Sequence, residues 1–386
     1  MVPSVRERMA SRIIVCDGAV GSELLGRLPA GALLDLAPHE HPDEVTEIHL
    51  AYLEAGAELL ETATFGASRP RLERNGAAEL VERVNSDAVK IARNAREIAG
   101  RDCLIAGSIG PLAGVLDMDE EGADRIIAAA HAEQAAILAG RGVDLLLLET
   151  FFRLDELELA VRAVRSECSL PLVGLLTFAT ERPPHPYREQ AEAVDRLAEL
   201  DLVAVGVNCS PGPMGALEVL RVTRQDRVPL AAMPNAGVLT RRDGRILMPP
   251  ATPSYMARFA REAAALGAVL IGGCCGTGPD HVRAISDAVA GLAPVRHAGA
   301  GTRVVVPETP TRRAVPASSL AGKLLEGKFV RLVQLDPPKG TKADGVLSAA
   351  ERLAEDGRVD AVDVNSNPLA RLRMDSISLA EEIQRR

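Results

Sequence analysis

Three cysteines follow apolar runs at the points where buried strands would end. Cys274 and Cys275 come after the run Ala268–Ile271, and Cys209 comes after residues 202–207. Adjacent cysteines do not readily form a disulfide with each other, because neighbouring Cα atoms lie about 3.8 Å apart and relaxed disulfides need about 4.4 to 6.8 Å. Two sulfur ligands for one metal ion are the more natural interpretation. Thiolate-rich ligation favours zinc over hard cations, and three protein ligands leave a fourth position open, as in catalytic zinc sites.

Other roles for these thiols stay open at this point. Free cysteines are commonly small buried apolar side chains, and the same three thiols would suit a thiol-based redox site or a structural-zinc site of an interaction protein. The chain has six cysteines, but a length of 386 residues with no secretion signal argues against a disulfide scaffold. Cys16, Cys103 and Cys168 are predicted to be structural thiols.

Eight short apolar runs alternate with amphipathic segments before residue 292. This alternation is typical of parallel strands that are buried on both faces and connected by helices. Eight such repeats, closed on themselves, predict an α/β fold of the (β/α)8 TIM-barrel type. An open doubly wound sheet is the alternative, but the first turn, residues 17–22, lacks a full Gly-x-Gly-x-x-Gly. The runs cover residues 12–16, 57–62, 103–108, 143–148, 171–176, 202–207, 229–233 and 268–271.

A barrel gathers the carboxyl ends of its strands on one face, so the three cysteines are expected to converge there. Asp17 follows the first run, where a carboxylate could meet a ligand; its alternative role is to form the turn or cap a helix. Four histidines do not stand at predicted strand ends and are interpreted as helix or solvent-side residues: His39, His41, His49 and His131.

Residues 293–319 show no apolar period and are predicted to be a linker between a barrel at 1–292 and a second segment at 320–386. The second segment reads as a strand at 328–335, a helix at 344–355 and a strand at 359–364. A β-α-β unit of this length cannot close a second barrel. We expect either the truncated start of a larger domain or a tail that docks elsewhere.

Composition excludes several classes of partner. Hydrophobic residues make up 47% and charged residues 25% of the chain, as in a globular protein. The net charge of -9 is spread along the chain and Trp is absent, so neither nucleic acid nor an anionic membrane is an expected partner. No apolar run approaches the ~20 residues of a membrane span. We expect a cytoplasmic protein; the sequence does not decide between a monomer and a homo-oligomer.

Five motifs stand at the ends of predicted strands: Asp17-Gly-Ala-Val-Gly, Glu61-Thr-Ala-Thr-Phe-Gly66, Gly206-Val-Asn-Cys209, Pro234-Asn-Ala-Gly237 and Gly272-Gly-Cys-Cys-Gly276. In this order they closely resemble the motifs of the homocysteine S-methyltransferase family. That family includes betaine-homocysteine methyltransferase and the homocysteine module of cobalamin-dependent methionine synthase. The resemblance covers about residues 8–292. It implies a zinc-containing TIM barrel that methylates the thiol of homocysteine to give methionine.

The resemblance also implies a metal site. Cys209, Cys274 and Cys275 match the three zinc ligands of the family, and Asn235 resembles the residue that fills the fourth place before the substrate arrives. Zinc would lower the pKa of the homocysteine thiol and hold it as a thiolate nucleophile at neutral pH.

The resemblance implies a substrate site beside the metal. Glu149 resembles the carboxylate that takes the homocysteine ammonium, with a capped helix start as its alternative role. Asp17, with the backbone around Gly18 and Ala19, is similar to the loop that helps to hold the amino acid. Thr64 is a further substrate-binding candidate, and its hydroxyl could equally satisfy backbone groups.

The sequence does not name the methyl donor. Methyltetrahydrofolate, S-methylmethionine, S-adenosylmethionine and betaine are all served by similar barrels. The chain has no evident cobalamin-binding module, which makes folate the chemically harder donor. Scarce aromatic residues weaken the case for betaine, because its cation is often held against aromatic rings.

The tail carries a second resemblance. Residues 328–340 and 362–373 look like the opening of a methylenetetrahydrofolate reductase, a flavin-dependent barrel, so the full-length parent is expected to be a bifunctional methyltransferase and reductase. Gln334 stands where that family usually has an acidic residue, and an amide cannot donate a proton as a carboxylic acid does. We expect no flavin and no reductase activity in this chain.

Overall fold

The computed structural model divides the chain into two compact units, Met1–Val304 and Val305–Arg386. The predicted linker falls largely in residues 297–319, outside the described residues. The structure describes residues 3–118, 120–178, 188–209, 212–236, 240–242, 245–247, 251–296, 320, 322–323, 326–338, 342–365 and 376–385.

The first unit is built on an eight-stranded parallel sheet. Its eight strands are β1 Ile14–Val15, β2 Leu59–Glu61, β3 Leu104–Ile109, β4 Leu145–Phe151, β5 Leu172–Leu176, β6 Ala204–Cys209, β7 Leu230–Pro234 and β10 Ala268–Ile271. Two short strands, β8 Thr240–Arg242 and β9 Arg245–Leu247, lie between β7 and β10 in the chain. From β2 to β7 each strand pairs with the next, and β10 pairs with both β7 and β1. Strands β8 and β9 form a separate antiparallel pair, which the sequence did not predict.

A short contact between β1 and β2 closes the sheet. Cys16 forms a parallel bridge with Leu59. The Asp17 N–H donates to the Leu59 carbonyl at 3.0 Å, and the Glu58 N–H donates to the Val15 carbonyl at 2.8 Å. The predicted (β/α)8 barrel is confirmed.

Strand β4 illustrates why the strand sequences are continuously apolar. Leu145 and Leu147 belong to the core inside the barrel, whereas Leu146 and Leu148 belong to the core between the strands and the helices. Successive residues of a strand point to opposite faces, so a strand covered on both faces needs apolar residues at every position.

Helices connect the strands on the outside of the sheet. The predicted helical segments near residues 45–55, 80–98 and 123–139 agree to within three residues with the helices Pro42–Glu54, Val81–Ala99 and Ala123–Gly140. Among the residues described, no helix is long and apolar enough to cross a membrane. The helices are α1 Val5–Ser11, α2 Val20–Arg27, α3 Ala37–Glu40, α4 Pro42–Glu54, α5 Arg69–Glu73, α6 Val81–Ala99, α7 Ala123–Gly140, α8 Leu154–Glu167, α9 Arg188–Leu197, α10 Pro213–Val222, α11 Pro253–Ala265 and α12 Pro279–Val289, with 3-10 turns at Leu34–Leu36 and Ala78–Leu80.

The second unit contains the β-α-β arrangement that the sequence predicted. Strand β11, Leu332–Leu335, pairs in parallel with β12, Ala361–Val364, and the helix Asp344–Asp356 connects them. A further helix spans Ser376–Arg385. The continuation of this unit into a second barrel stays a prediction.

Candidate metal and substrate site

Cys209, Cys274 and Cys275 lie together at the carboxyl-terminal end of the barrel strands. Cys209 ends β6, the other two follow β10, and β7 lies between these strands in the sheet. Cys274 Sγ is 3.2 Å and Cys275 Sγ is 3.8 Å from Cys209 Sγ, and all three sulfurs lie within 4.8 Å of one another. Zn–S bonds of about 2.3 Å in a tetrahedral set put sulfurs roughly 3.8 Å apart. The spacing suits one metal ion.

Backbone hydrogen bonds from the end of β7 hold both cysteine-bearing segments. The Asn235 N–H donates to the Cys209 carbonyl at 3.0 Å, and the Cys274 N–H donates to the Pro234 carbonyl at 2.9 Å. Strand β7 thus fixes the distance between the sulfur contributed by β6 and those that follow β10.

Two glycines allow the turn that carries the adjacent cysteines. Gly276 has a φ of 80°, in the left-handed region that favours glycine. A Cβ atom added to Gly272 would lie 2.6 Å from Cys16 Cβ and 2.9 Å from the Asp17 carbonyl oxygen. This turn therefore packs directly against the end of β1.

Two non-glycine residues of the site also have left-handed backbones. Thr150 has a φ of 62° and Cys209 a φ of 54°, a conformation that costs a residue with a Cβ atom about 1–2 kcal/mol. The pairing of β4 with β5 shifts register between Leu148 and Phe151, so Thr150 lies in an irregularity of the strand. Bulges and strained residues of this kind occur where side chains are re-aimed at functional sites.

Contact among the sulfurs changes their acidity. Hydrogen bonds from Cys209 and Cys274 hold the pKa of the Cys275 thiol well below its usual range. The same contacts, together with burial, raise the pKa of Cys274 well above its usual value. A soft cation would favour the thiolate form at all three positions.

A buried side-chain oxygen on the residue that follows β7 has no hydrogen-bond partner among the described residues. Asn235 follows the last residue of β7, and its Oδ1 atom accepts no bond from any described residue. Buried polar atoms normally have a partner. Three sulfurs and one oxygen are a ligand set that suits a four-coordinate zinc ion.

Glu149 is the best-connected carboxylate of the site. It is 7% exposed, and it accepts hydrogen bonds from Ser108 Oγ at 2.5 Å, Asn208 Nδ2 at 2.9 Å and Thr150 Oγ1 at 3.3 Å. Burial nevertheless raises its pKa. Helix α8 begins after Arg153 without a side-chain cap, so Glu149 does not have the capping role that was its alternative.

Two further carboxyl groups adjoin Glu149. Asp17 Oδ2 accepts the Glu61 N–H at 3.0 Å, whereas its buried Oδ1 has no partner among the described residues. The Glu61 and Glu149 side chains are hydrogen-bonded to each other. Burial raises the pKa of Asp17 and of Glu61 well above their usual range, and the neighbouring carboxylates add to the effect. Helix α2 has Ala19 at its N-cap, so Asp17 is not a helix cap.

A cavity of about 420 Å³ connects the thiols to the carboxyl groups. Its volume falls within the roughly 300–1,000 Å³ of ligand pockets. Apolar side chains of α2 and the loop after β2, including Leu25 and Phe65, form its outer wall. The polar and backbone parts of its lining include Gly18, Ala19, Glu61, Ser108, Glu149 and the three cysteines.

Thr64 lies behind the cavity and does not line it. Its hydroxyl donates to the Ser108 carbonyl at 2.7 Å and is 2.7 Å from Thr62 Oγ1. The Ser108 N–H in turn donates to Thr62 Oγ1 at 3.1 Å. Thr64 therefore reaches the site through the backbone of Ser108, the residue that donates to Glu149.

Sequence reasoning singled out the cysteines and Glu149 but missed their polar neighbours. Glu61, Ser108 and Asn208 were not proposed as site residues, although each stands at or next to the end of a predicted strand. Their position at a strand end was the one feature of the sequence that could have indicated a role in the site. It did not reveal which of these side chains would face the cavity.

The fold and the site define a (β/α)8 barrel with a three-thiol cluster beside a carboxyl-lined cavity. The family model described as homocysteine S-methyltransferase matches residues 14–289. The chain belongs to the homocysteine S-methyltransferase family.

Individual relatives agree with this assignment. The chain is 31% identical to a methionine synthase of Mycobacterium leprae over 74% of its own length and 25% of the relative's. It is 29% identical to betaine–homocysteine S-methyltransferase 1 of Rattus norvegicus, with 74% of each chain covered. The metallated form of the homocysteine methyltransferase MmuM from Escherichia coli superposes with a TM-score of 0.59 at 26% identity, over 72% of this chain and 96% of that one. The chain thus spans about a quarter of the length of the mycobacterial enzyme.

Proposed function

We propose that the barrel transfers a methyl group to the thiol of homocysteine, giving methionine, and that Cys209, Cys274 and Cys275 hold a zinc ion for this reaction. The observation that carries the proposal is the convergence of the three sulfur atoms within 4.8 Å at one end of the cavity. Family membership supports the same reaction class.

Zinc in this site would lower the pKa of a coordinating thiol, so that the thiol would be a thiolate at neutral pH. Asn235 Oδ1 would occupy the fourth position in the absence of substrate, and its unsatisfied state supports that role. Cys209 and the adjacent pair are held by the end of β7, so little rearrangement is needed on binding.

The carboxyl end of the cavity would hold the amino-acid part of homocysteine. Glu149 takes the ammonium group. Its three hydrogen-bond donors are neutral, so no cation among the described residues compensates the carboxylate charge. Asp17 and the backbone of Gly18 and Ala19 support the amino acid from the β1 side. Thr64 contributes through Ser108.

The chemical step is a displacement at carbon. The substrate sulfur forms a bond to the methyl carbon as the donor–methyl bond breaks, and the donor leaves with the bonding electron pair. No general base has to act after the thiol has lost its proton. The donor is drawn from methyltetrahydrofolate, S-methylmethionine, S-adenosylmethionine and betaine.

The experiment that tests the proposal incubates the purified full chain with homocysteine and each donor in turn and measures methionine. We expect one bound zinc per chain, methionine with at least one donor, and loss of both zinc and turnover in Cys275→Ala. Cys168→Ala is the matched control, because Cys168 follows α8 outside the cavity. Methionine from no donor, or full activity in Cys275→Ala, contradicts the proposal.

A structural-zinc or redox role is the competing function, and the 3.2 Å contact between Cys274 and Cys209 is the observation that favours it. Chelation separates the possibilities. A catalytic ion is removed with loss of turnover but retention of the fold, and added zinc restores the activity. Unfolding on chelation, or a reversible disulfide with no homocysteine-dependent turnover, supports the competing role.

We also propose that residues 320–386 begin a reductase-like domain in a longer parent protein. The parallel pairing of β11 with β12 around one helix supports this origin. Visible flavin absorbance in a longer parent and its absence from this chain are the expected results. A flavin bound to this chain contradicts the expectation.

A further inference from the structure

Three carboxyl groups adjoin one another at the cavity, although one carboxylate suffices to neutralise an ammonium group. Asp17 is fully buried, Glu149 nearly so, and Glu61 lines the cavity. Neighbouring carboxyl groups that are buried together do not all stay ionised. At least one of these groups must therefore carry a proton.

The hydrogen-bond partners identify the protonated group. Glu149 accepts from the hydroxyls of Ser108 and Thr150 and from the amide of Asn208, and such bonds favour its ionised form. The Glu61 carboxyl group has no donor among the described residues apart from its contact with Glu149. Of these two side chains, Glu61 is the one that lacks stabilisation as an anion.

A proton also makes the contact between the two side chains favourable. Two carboxylates would repel each other, whereas a carboxylic acid donates an O–H to a carboxylate in a short, charge-assisted bond. The Glu61 backbone is fixed from the other side, because its N–H donates to Asp17 Oδ2 at 3.0 Å. The side chain is therefore presented to Glu149 from a rigid strand end.

We propose that Glu61 acts as a neutral carboxylic acid, a positioning residue that donates a hydrogen bond to Glu149 and orients it toward the ammonium group of homocysteine. The inference rests on the proposed function, because it assigns homocysteine to this cavity. It adds to that function a residue outside the metal site and a stated protonation state.

Substitutions distinguish a proton donor from an anion. Glu61→Gln keeps the shape of the side chain and an N–H that can donate to Glu149, so homocysteine affinity should stay within about threefold of wild type. Glu61→Ala removes the donor, and the dissociation constant for homocysteine should rise at least about tenfold, as for loss of a charge-assisted hydrogen bond. Glu58→Gln is the matched control, because Glu58 precedes β2 and pairs with Arg12 away from the cavity.

Calorimetry measures the binding of homocysteine to the zinc-loaded full chain in the absence of a methyl donor. Steady-state kinetics are then measured with a methyl donor present. Mercaptobutanoate, which is homocysteine without its amino group, is the second ligand. Glu61→Ala should weaken homocysteine but leave mercaptobutanoate affinity unchanged, and it should raise KM with little effect on kcat. Zinc content and circular dichroism verify that each variant is loaded and folded.

The binding measurements test the role of Glu61 separately from the proposed function. The role of Glu61 is overturned if Glu61→Gln weakens homocysteine binding as much as Glu61→Ala does. It is also overturned if Glu61→Ala weakens both ligands equally, or if Glu61→Ala binds homocysteine with wild-type affinity. None of these results contradicts the methyltransferase proposal. Absence of homocysteine binding in the wild-type protein overturns both proposals. Should Glu61→Ala fail to fold, the prediction for Glu61→Gln still decides.

Discussion

The side-chain amide of Asn208 bonds directly to the carboxylate of Glu149, with Nδ2 2.9 Å from Oε2. The same nitrogen lies 4.0 Å from Cys274 Sγ, and Asn208 Oδ1 accepts the Thr150 N–H at 2.8 Å. Asn208 therefore links the carboxyl end of the cavity to the thiol end. It precedes Cys209, one of the proposed zinc ligands, on the same strand.

Asn208→Ala should weaken homocysteine binding and lower stability. The change leaves the buried Thr150 N–H without a partner, which costs about 1–3 kcal/mol, and it removes a donor from Glu149. We expect KM for homocysteine to rise about tenfold. Kinetics and denaturant unfolding test this, with the exposed Asn94→Ala on α6 as the control. An unchanged KM would show that Asn208 does not orient Glu149.

Cys209→Gly should be more stable than Cys209→Ala. Both variants lose the sulfur, but the φ of 54° at this position penalises any residue with a Cβ atom. Alanine in such a conformation is less favourable than glycine by about 1 kcal/mol. The comparison requires metal-free protein and chemical denaturation of both variants. Equal stabilities would mean that the backbone relaxes once the sulfur is removed.

Gly272→Ala and Gly26→Ala should have opposite effects. The first places a methyl group 2.6 Å from Cys16 Cβ, and overpacking of this kind destabilises by about 1–3 kcal/mol. We expect zinc content to fall as well, because the cysteine turn is displaced. Gly26 lies in α2 with no atom within 4 Å of an added Cβ, and alanine there should stabilise by about 0.5–1 kcal/mol. Thermal unfolding and metal analysis of both variants provide the test.

His49 should make the barrel less stable in mild acid. Burial lowers its pKa to about 4, whereas an unfolded His titrates near 6.5. The unfolded chain thus binds the proton more tightly, and the stability present above pH 6.5 is lost as the pH falls toward 4. Between pH 7 and pH 5 this linkage amounts to about 2 kcal/mol.

His49→Leu should remove that part of the pH dependence. The measurement is the difference in free energy of unfolding between the variant and the wild type at both pH values. The difference should change by about 2 kcal/mol in favour of the variant at the lower pH. A constant difference would indicate that His49 becomes protonated without cost.

The sequence allowed the barrel to be predicted because a strand buried on both faces has a continuous apolar signature, as in residues 145–148 of β4. It allowed the cysteines to be grouped because the carboxyl ends of all strands share one face. It could not reveal the irregularity at Thr150, since nothing in a threonine indicates a positive φ. Strand β1 has only two residues, so the closure by Cys16 and Leu59 also depended on tertiary contacts.

The roles of Glu61 and Asn208 were hidden for a related reason. Both residues are polar positions next to strand ends, and such positions are common to turns, caps and ligand sites alike. Which of them faces the cavity depends on the register between neighbouring strands. The β6–β7 pairing, in which Asn208 opposes Met233, is set by packing along the whole sheet rather than by either residue.

The three sulfurs come from the ends of β6 and β10, which flank β7 in the sheet. Along the chain, the two cysteine-bearing segments are separated by α10, β7, the β8–β9 pair and α11. During synthesis, Cys209 leaves the ribosome well before its partners exist. A chain that has not yet completed β10 cannot assemble the cluster. Acquisition of the ion would therefore report that the last barrel strand has joined the sheet, and the order of events would be barrel first, metal second and substrate last.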